Sequence, residues 1–362
     1  MYKEIFATRS HTFSSIRNNW KAAFNSLLIS GAIVASGAVS STANAMQSPN
    51  LSGIYCSCSP TTERNSSVFH NAGEIEYMDG VLVRISWALL EPTPGVYDWS
   101  RLDSQLAKAQ QEGVKIALAI TNGAEAPSWL KSEGAQTLDY LFRSVYPKSM
   151  PLPWDSVFLD RYSQFIDALG QRYDGNPNIA LVHMTNSTTN GFEMQYFFDR
   201  DTENRFRSMG FSNEALVESW KQIMDAYDDA FPNTKLDVEI HPVFRSPVVA
   251  QEVAAYGHAS IGQRFGLFAA WFSEENAMTA YPDMYNLLVS AQATSFAAVQ
   301  IVGTASSDRA NIQLTEEELL GSIQFALDSG FNYIEVWAAD LKSDALSDDL
   351  TLVHTSIQLA SE

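Results

Sequence analysis

Residues 80–120, GVLVRISWALLEPTPGVYDWSRLDSQLAKAQQEGVKIALAI, contain two short apolar segments separated by one amphipathic segment. Residues 81–85 and 114–120 are rich in β-branched and aliphatic side chains, which is typical of strands buried in a parallel sheet. Between them, apolar residues recur at helical spacing over 102–109, and Gly113 follows where a C-terminal glycine is favoured. The stretch therefore predicts one βαβ unit.

The two loops of this unit differ in length. The turn before the second strand is short, whereas the loop after the first strand carries Trp87, Glu91 and Tyr97. In parallel α/β folds, ligands and catalytic groups lie on the loops that leave the C-terminal ends of the strands. We therefore expect the chemistry of this protein at that end of the sheet.

The same alternation of strand and helix continues along the chain. Asp155 can cap an amphipathic helix, and Thr315 with Glu318 forms a capping box before another. Eight strands alternating with helices predict an α/β fold, a (β/α)8 TIM barrel, as a single domain over residues 46–362. A doubly wound open sheet is the alternative, but no Gly-x-Gly-x-x-Gly follows a predicted strand. The six further strands are predicted at 51–55, 179–184, 236–241, 265–271, 297–303 and 333–337.

Residues 1–45 predict a secretory signal peptide. Basic residues precede an apolar run at 27–39, and Ala43-Asn44-Ala45 supplies a small-x-small cleavage site. The run is too short to span a bilayer, so we expect an exported protein, periplasmic or extracellular, without membrane attachment after cleavage. The formal net charge of −19 at pH 7 argues against a nucleic-acid partner. The sequence gives no prediction of oligomeric state.

Two cysteines, Cys56 and Cys58, are separated by one residue at the end of the first predicted strand. A disulfide between such close positions is geometrically demanding, and two cysteines alone make a weak metal site. We therefore predict small, half-buried residues here. The histidines show no metal-binding spacing, and we expect neither a metal nor another cofactor.

Residues 80–120, together with Ala126-Pro127-Ser128-Trp129-Leu130, resemble the second and third strands of clan A glycoside hydrolases, most closely the family 42 β-galactosidases. In both, a strand ending in Arg and Trp precedes a Glu-Pro, a Gly-x-Tyr-Asp and a helix. The resemblance is specific over roughly residues 80–130 and is one of architecture elsewhere. It implies a secreted glycoside hydrolase that cleaves a β-linked, galactoside-like glycoside or polysaccharide. The alternatives are a non-catalytic carbohydrate-binding barrel and a polysaccharide lyase.

The catalytic glutamates that the resemblance implies are absent from their expected places. The family carries an Asn-Glu pair after the fourth strand, where this chain has Asn186-Ser187, and a Glu at the end of the seventh strand, where this chain has no carboxylate. We predict a relocated pair, Glu193 in the loop after the fourth strand and Glu335 in the eighth strand. Alternation directs Glu335 into the barrel, where an unpaired charge is costly outside a functional site.

Alternatives remain for this pair. Glu335 can instead form a structural ion pair with Arg84, and Glu239 on the fifth strand is the next candidate. Carboxyls about 5–5.5 Å apart favour a retaining mechanism, and about 6.5–9.5 Å favours inversion. Because aromatic faces suit the C–H faces of sugars, tryptophans near the strand ends are expected to bind substrate together with polar neighbours. The predicted substrate-binding residues are Arg84, Trp87, Trp129, Asn186, His241, Trp271, Trp337 and Asp340.

Overall fold

The computed structural model describes residues 51–58, 74–307 and 312–361, so the predicted signal peptide lies outside the described residues. Eight parallel strands close a barrel in the order β1-β10-β9-β8-β7-β6-β3-β2, and β4 pairs antiparallel with β5 as a separate hairpin. The predicted TIM barrel is therefore confirmed. The strands are β1 (Gly53–Ser57), β2 (Gly80–Ser86), β3 (Lys115–Thr121), β4 (Thr137–Phe142), β5 (Tyr146–Pro151), β6 (Ile179–Met184), β7 (Leu236–Glu239), β8 (Phe265–Phe272), β9 (Phe296–Ile301) and β10 (Tyr333–Trp337).

Helices follow the strands and begin or end at the positions that the sequence marks. Asp155 accepts the Phe158 N–H at the start of one helix, and Thr315 and Glu318 form the predicted capping box of another. Gly113 ends its helix in the left-handed conformation, with φ of 72°. No helix in the described ranges is long and apolar enough to cross a membrane. The α-helices span Trp87–Leu90, Ser100–Glu112, Trp129–Ser132, Ser156–Tyr173, Arg200–Ser208, Asn213–Ala230, Val248–Ser260, Pro282–Thr294, Glu316–Asp328, Ala338–Leu341 and Ser347–Ser361, with short 3-10 segments at Gly123–Glu125 and Gly262–Arg264 and a π-helical segment at Asn276–Ala280.

The structure corrects the sequence interpretation at two places. The segment predicted as a long loop after β3 contains the β4–β5 hairpin, whose turn places Arg143 and Ser144 at positive φ. Cys56 and Cys58 form a disulfide, with Cα atoms 5.1 Å apart. Side chains at i and i+2 of a strand lie on the same side, and this Cα separation is within the range that a disulfide bridges.

The barrel interior is apolar over most of its height and polar at its C-terminal mouth. Tyr55, Leu82, Leu181, Ala298 and Tyr333 belong to one buried apolar cluster. Two residues further along each of these strands the inward side chain is polar, because strand residues alternate between the two faces. We call this set the polar layer, and Glu239 joins it from β7. Its members are Ser57, Arg84, His183, Glu239, Gln300 and Glu335.

Candidate active site

Glu335 lies at the centre of the polar layer and points into the barrel, as the alternation on β10 predicts. The residue is fully buried. Its Oε2 accepts a hydrogen bond from Gln300 Nε2 at 2.7 Å, and its Oε1 accepts one from the Tyr333 hydroxyl at 3.0 Å. Burial raises the pKa of Glu335, and the nearby His183, Gln300 and Arg84 offset only part of that effect. Glu335 is therefore a carboxyl group that retains its proton more readily than an exposed glutamate.

His183 connects Glu335 to a second buried carboxyl, Asp237 on β7. His183 Nδ1 lies 2.7 Å from Asp237 Oδ1, and His183 Nε2 lies 3.9 Å from Glu335 Oε1. All three side chains are fully buried. Burial raises the pKa of Asp237, although the contact with His183 opposes this shift. We call Glu335, His183, Asp237, Gln300 and Arg84 the inner cluster.

Glu239 ends β7, and its carboxylate contacts the Met194 N–H, His241 and, at 3.4 Å, the Ala270 N–H. Its Oε2 accepts the Met194 N–H at 2.7 Å, and its Oε1 lies 2.6 Å from His241 Nδ1. Burial lowers the pKa of His241, but Glu239 and Glu193 together raise it by more, so the net shift is upward. His241 therefore holds a proton more readily than a free imidazole does, because its charged form is stabilised by these carboxylates.

Glu193 lies in the loop of residues 185–199, which leaves β6. The bond from Met194 N–H to Glu239 folds this loop back over the mouth of the barrel, as a role for Glu193 requires. Glu193 is half-buried and accepts a hydrogen bond from Gln195. Burial and the neighbouring Glu239 raise its pKa, and His241 and Arg84 offset only part of this. Glu193 is thus the partly accessible carboxyl of the mouth with a raised pKa.

The electrostatic neighbours of the two predicted catalytic residues differ. The pKa of Glu193 is shifted by the charges of Glu239, His241 and Arg84. The pKa of Glu335 is shifted by the charges of His183 and Arg84. Glu239 therefore influences the pKa of Glu193 directly, and the predicted pairing of Glu193 with Glu335 stays a prediction. Arg84 interacts electrostatically with the carboxyl groups of Glu335, Glu193 and Glu239. Burial lowers the pKa of Arg84, and these three carboxyl groups offset part of that shift. The Glu335–Arg84 interaction is one of several and is not an exclusive ion pair.

An aromatic corner adjoins Glu239. The Trp271 and Tyr281 rings are 5.0 Å apart between centroids, and His241 is 5.3 Å from Tyr281. Trp271 Nε1 donates to the Ile240 carbonyl, which fixes its ring. We call Glu193, Glu239, His241, Trp271 and Tyr281 the outer cluster. The sequence interpretation missed Tyr281. This aromatic residue follows the sixth barrel strand, and the reason for selecting Trp271, an aromatic side chain near a strand end, applies to it equally.

Three of the predicted substrate-binding residues are fully buried and contact other parts of the protein, and their roles toward substrate stay predictions. Trp87 is fully buried, donates to Glu91 Oε2 and packs against the Tyr162 ring, because it begins a short helix that turns it away from the mouth. Asn186 is fully buried and donates to Ser219. Asp340, also fully buried, accepts the N–H groups of two residues in the loop after β9, Ala305 and Ser306.

Two other predicted residues are half-buried. Trp129 donates to the Glu91 carbonyl and lies edge-on to Trp87. Trp337 donates to the Ile301 carbonyl. Neither belongs to the outer cluster, and their roles toward substrate stay predictions. Among the residues that the structure describes, no group of three or more His, Cys, Asp and Glu side chains is arranged to hold a metal ion.

The raised pKa of Glu335 gives a testable pH dependence of stability. A carboxyl whose pKa is higher in the folded than in the unfolded state takes up a proton on folding, so its contribution to stability increases as pH falls through the folded value. Glu335→Gln removes this titration. We expect the free energy of unfolding of the wild type to rise relative to Glu335→Gln on going from pH 8 to pH 5, with a slope of at most about 1.4 kcal/mol per pH unit. Urea unfolding at several pH values measures it, and parallel pH profiles for the two proteins would contradict it.

Part of this sequence matches a known protein family, and several solved structures share its fold. Residues 63–231 match the model of glycoside hydrolase family 42, described as Beta-galactosidase. Solved structures of similar fold include the catalytic domain of β-amylase from Paenibacillus polymyxa, with a TM-score of 0.59, 10% identity, and coverage of 86% of this chain and 98% of that chain. A second is a β-galactosidase from Marinomonas ef1, with a TM-score of 0.56, 11% identity, and coverage of 85% of this chain and 60% of that chain.

The family match covers a little under half of the 362 residues, and the solved structures share the TIM-barrel fold of this chain. Beta-galactosidase BbgII of Bifidobacterium bifidum is 26% identical over 158 residues, which are 41% of this chain and 23% of that protein. A β-galactosidase of Arthrobacter sp is 31% identical over 126 residues, 34% of this chain and 18% of that protein. The matched part of this chain therefore spans less than a quarter of these two relatives.

Proposed function

We propose that this protein is an exported O-glycosyl hydrolase that cleaves a β-linked, galactoside-like glycoside at the C-terminal mouth of its barrel. The observation that carries the proposal is the outer cluster. There, a partly accessible glutamate of raised pKa, Glu193, is electrostatically coupled to a second glutamate, Glu239, beside an aromatic corner. The family match over residues 63–231 and the β-galactosidase relatives support the substrate class.

The two carboxyl groups are suited to different roles. Glu193, with its raised pKa, donates a proton to the leaving glycosidic oxygen as the general acid. Glu239, fixed by the Met194 N–H and His241, acts on the anomeric carbon, either directly as nucleophile or through an activated water. The anomeric configuration of the first product, followed by NMR, distinguishes these two routes.

The aromatic corner supplies the other half of sugar recognition. The ring faces of Trp271 and Tyr281 offer apolar surface to the C–H face of a pyranose. Glu193, Glu239 and His241 lie on the polar side of the same space. The outer cluster thus combines stacking with hydrogen bonding, as carbohydrate sites require.

A panel of aryl glycosides and β-linked oligosaccharides tests this function. We expect hydrolysis of at least one β-galactoside by the folded, purified protein. The absence of cleavage for every glycoside, with folding verified by circular dichroism, would contradict the proposal. Mass spectrometry of the protein from the culture medium or periplasm tests export, for which an N-terminus at Met46 is expected.

A non-catalytic carbohydrate-binding barrel is the second candidate, and one observation favours it. Ser187 occupies the place where the resemblance implies the acid, and its hydroxyl donates to the Pro151 carbonyl. Tight binding of an oligosaccharide by calorimetry, without product after long incubation, would favour this candidate. A lyase would instead release an unsaturated product that absorbs in the ultraviolet.

A further inference from the structure

The ring of Phe192 covers the inner cluster at the mouth of the barrel. Phe192 is 3% exposed. The Arg84 guanidinium carbon lies 4.6 Å from the centre of its ring, and the His183 and Phe268 rings lie 5.3 Å and 5.7 Å away. An aromatic side chain from the loop therefore occupies the space above the polar layer, next to Glu193 in the chain.

Two buried nitrogens beneath this ring have no hydrogen-bond partner among the described residues. They are Arg84 Nε and His183 Nε2. A buried polar atom without a partner is costly, and native proteins contain few such atoms. Because Phe192 is a hydrocarbon ring, it cannot accept or donate an ordinary hydrogen bond to either nitrogen. A ligand with hydroxyl groups around a ring of similar size would satisfy both.

The loop that carries Phe192 is long and lies over the mouth of the barrel. Residues 185–199 join β6 to the helix Arg200–Ser208 without helix or strand, and loops of this length in compact domains are usually functional. Gly191, directly before Phe192, has φ of +79°, and a Cβ there would lie 2.4 Å from the Asn122 carbonyl oxygen. Only glycine fits this position, and the Asn122 N–H donates to the Gly191 carbonyl at 2.9 Å, so the backbone is anchored directly before Phe192.

We propose that Phe192 is a displaceable plug that occupies the place of one neutral pyranose ring. When the loop moves, the sugar takes the position of the phenyl ring, and its hydroxyls bind Arg84 Nε and His183 Nε2. A neutral sugar is favoured over a uronic acid because Arg84 is already under the influence of three carboxyl groups, Glu335, Glu193 and Glu239. The proposal rests on the proposed function for its ligand class, and it adds that sugar binding and the position of Glu193 are coupled through the loop.

Free monosaccharides test this without any turnover. Titration calorimetry with galactose, glucose, mannose and xylose compares the wild type, Phe192→Ala and the matched control Phe197→Ala, whose side chain lies on the same loop and is 56% exposed. We expect Phe192→Ala to bind at least one of these sugars about tenfold more tightly than the wild type, because the competing ring is gone. Phe197→Ala should bind like the wild type. Equal or weaker binding by Phe192→Ala for all four sugars would overturn the proposal.

Hydrogen exchange on the wild type gives an independent measurement if Phe192→Ala folds poorly. Amides of residues 192 and 193 should exchange faster at a saturating concentration of the sugar, because displacement of the plug loosens the hydrogen bonds that these two N–H groups donate to Asn190 Oδ1. Unchanged exchange in this segment would overturn the proposal. The two proposals fail separately: a plug without hydrolysis leaves a sugar-binding barrel, and hydrolysis with an immobile Phe192 leaves the enzyme without a plug.

Discussion

Replacing Glu193 by Gln is expected to lower kcat by about 10²- to 10⁴-fold on a β-galactosyl disaccharide, the range that general acid catalysis supplies. The substitution keeps the shape of the side chain but removes the proton that the leaving oxygen needs. An aryl galactoside with an acidic phenol should be affected less, because its leaving group requires little protonation. Steady-state kinetics on both substrates measures the difference.

The raised pKa of Glu193 also predicts the direction in which kcat/KM changes with pH. A general acid works when it is protonated, so wild-type kcat/KM should fall as pH rises through the elevated pKa of Glu193. This decrease in kcat/KM at high pH should be absent from Glu193→Gln. Glu275→Gln is a matched control, since Glu275 is an exposed glutamate of the loop after β8. If kcat of Glu193→Gln lies within threefold of kcat of Glu275→Gln, Glu193 is a solvated loop residue and not the general acid. Glu239 and Glu335 would then be replaced in the same way.

Replacing His183 by Ala is expected to lower the free energy of unfolding by about 3–5 kcal/mol, the cost of removing one partner from a buried pair that includes a carboxyl group. His183 is fully buried, and the change leaves the Asp237 carboxyl beneath the barrel mouth without its hydrogen-bonded partner. Part of the loss comes from the cavity that the imidazole leaves between Phe192 and Phe268. Urea unfolding at pH 7 measures the change.

The chain offers a matched control for this effect. His354 lies 3.1 Å from Asp79 in a pair of the same chemical type, but both side chains are partly exposed. Solvent screens such a pair, so His354→Ala should cost only about 0–1 kcal/mol. Similar losses for the two variants would show that the His183–Asp237 contact is not the source of the stability.

Local sequence patterns determined the architecture of this protein. Buried strands, the capping box at Thr315 and Glu318, and the left-handed Gly113 all follow from side-chain spacing and backbone preference within a few residues. The direction of Glu335 follows from the same local rule, because alternation along β10 places it with Tyr333 on the inner face. These features depend on short-range geometry that the sequence carries directly.

Contacts between distant segments decided the candidate site. The sequence places Glu193 in a loop without structure of its own, and only the bond from Met194 N–H to Glu239, 45 residues away, returns that loop to the mouth. The same folding sets Phe192 over Arg84, which no periodicity predicts. Such contacts depend on where the barrel brings its strands together, and loop conformation is selected by that packing. For this reason the sequence by itself determined the barrel and its polar mouth, whereas the tertiary structure decided that the loop of Glu193 is bonded to Glu239 and that Phe192 lies over Arg84 and His183.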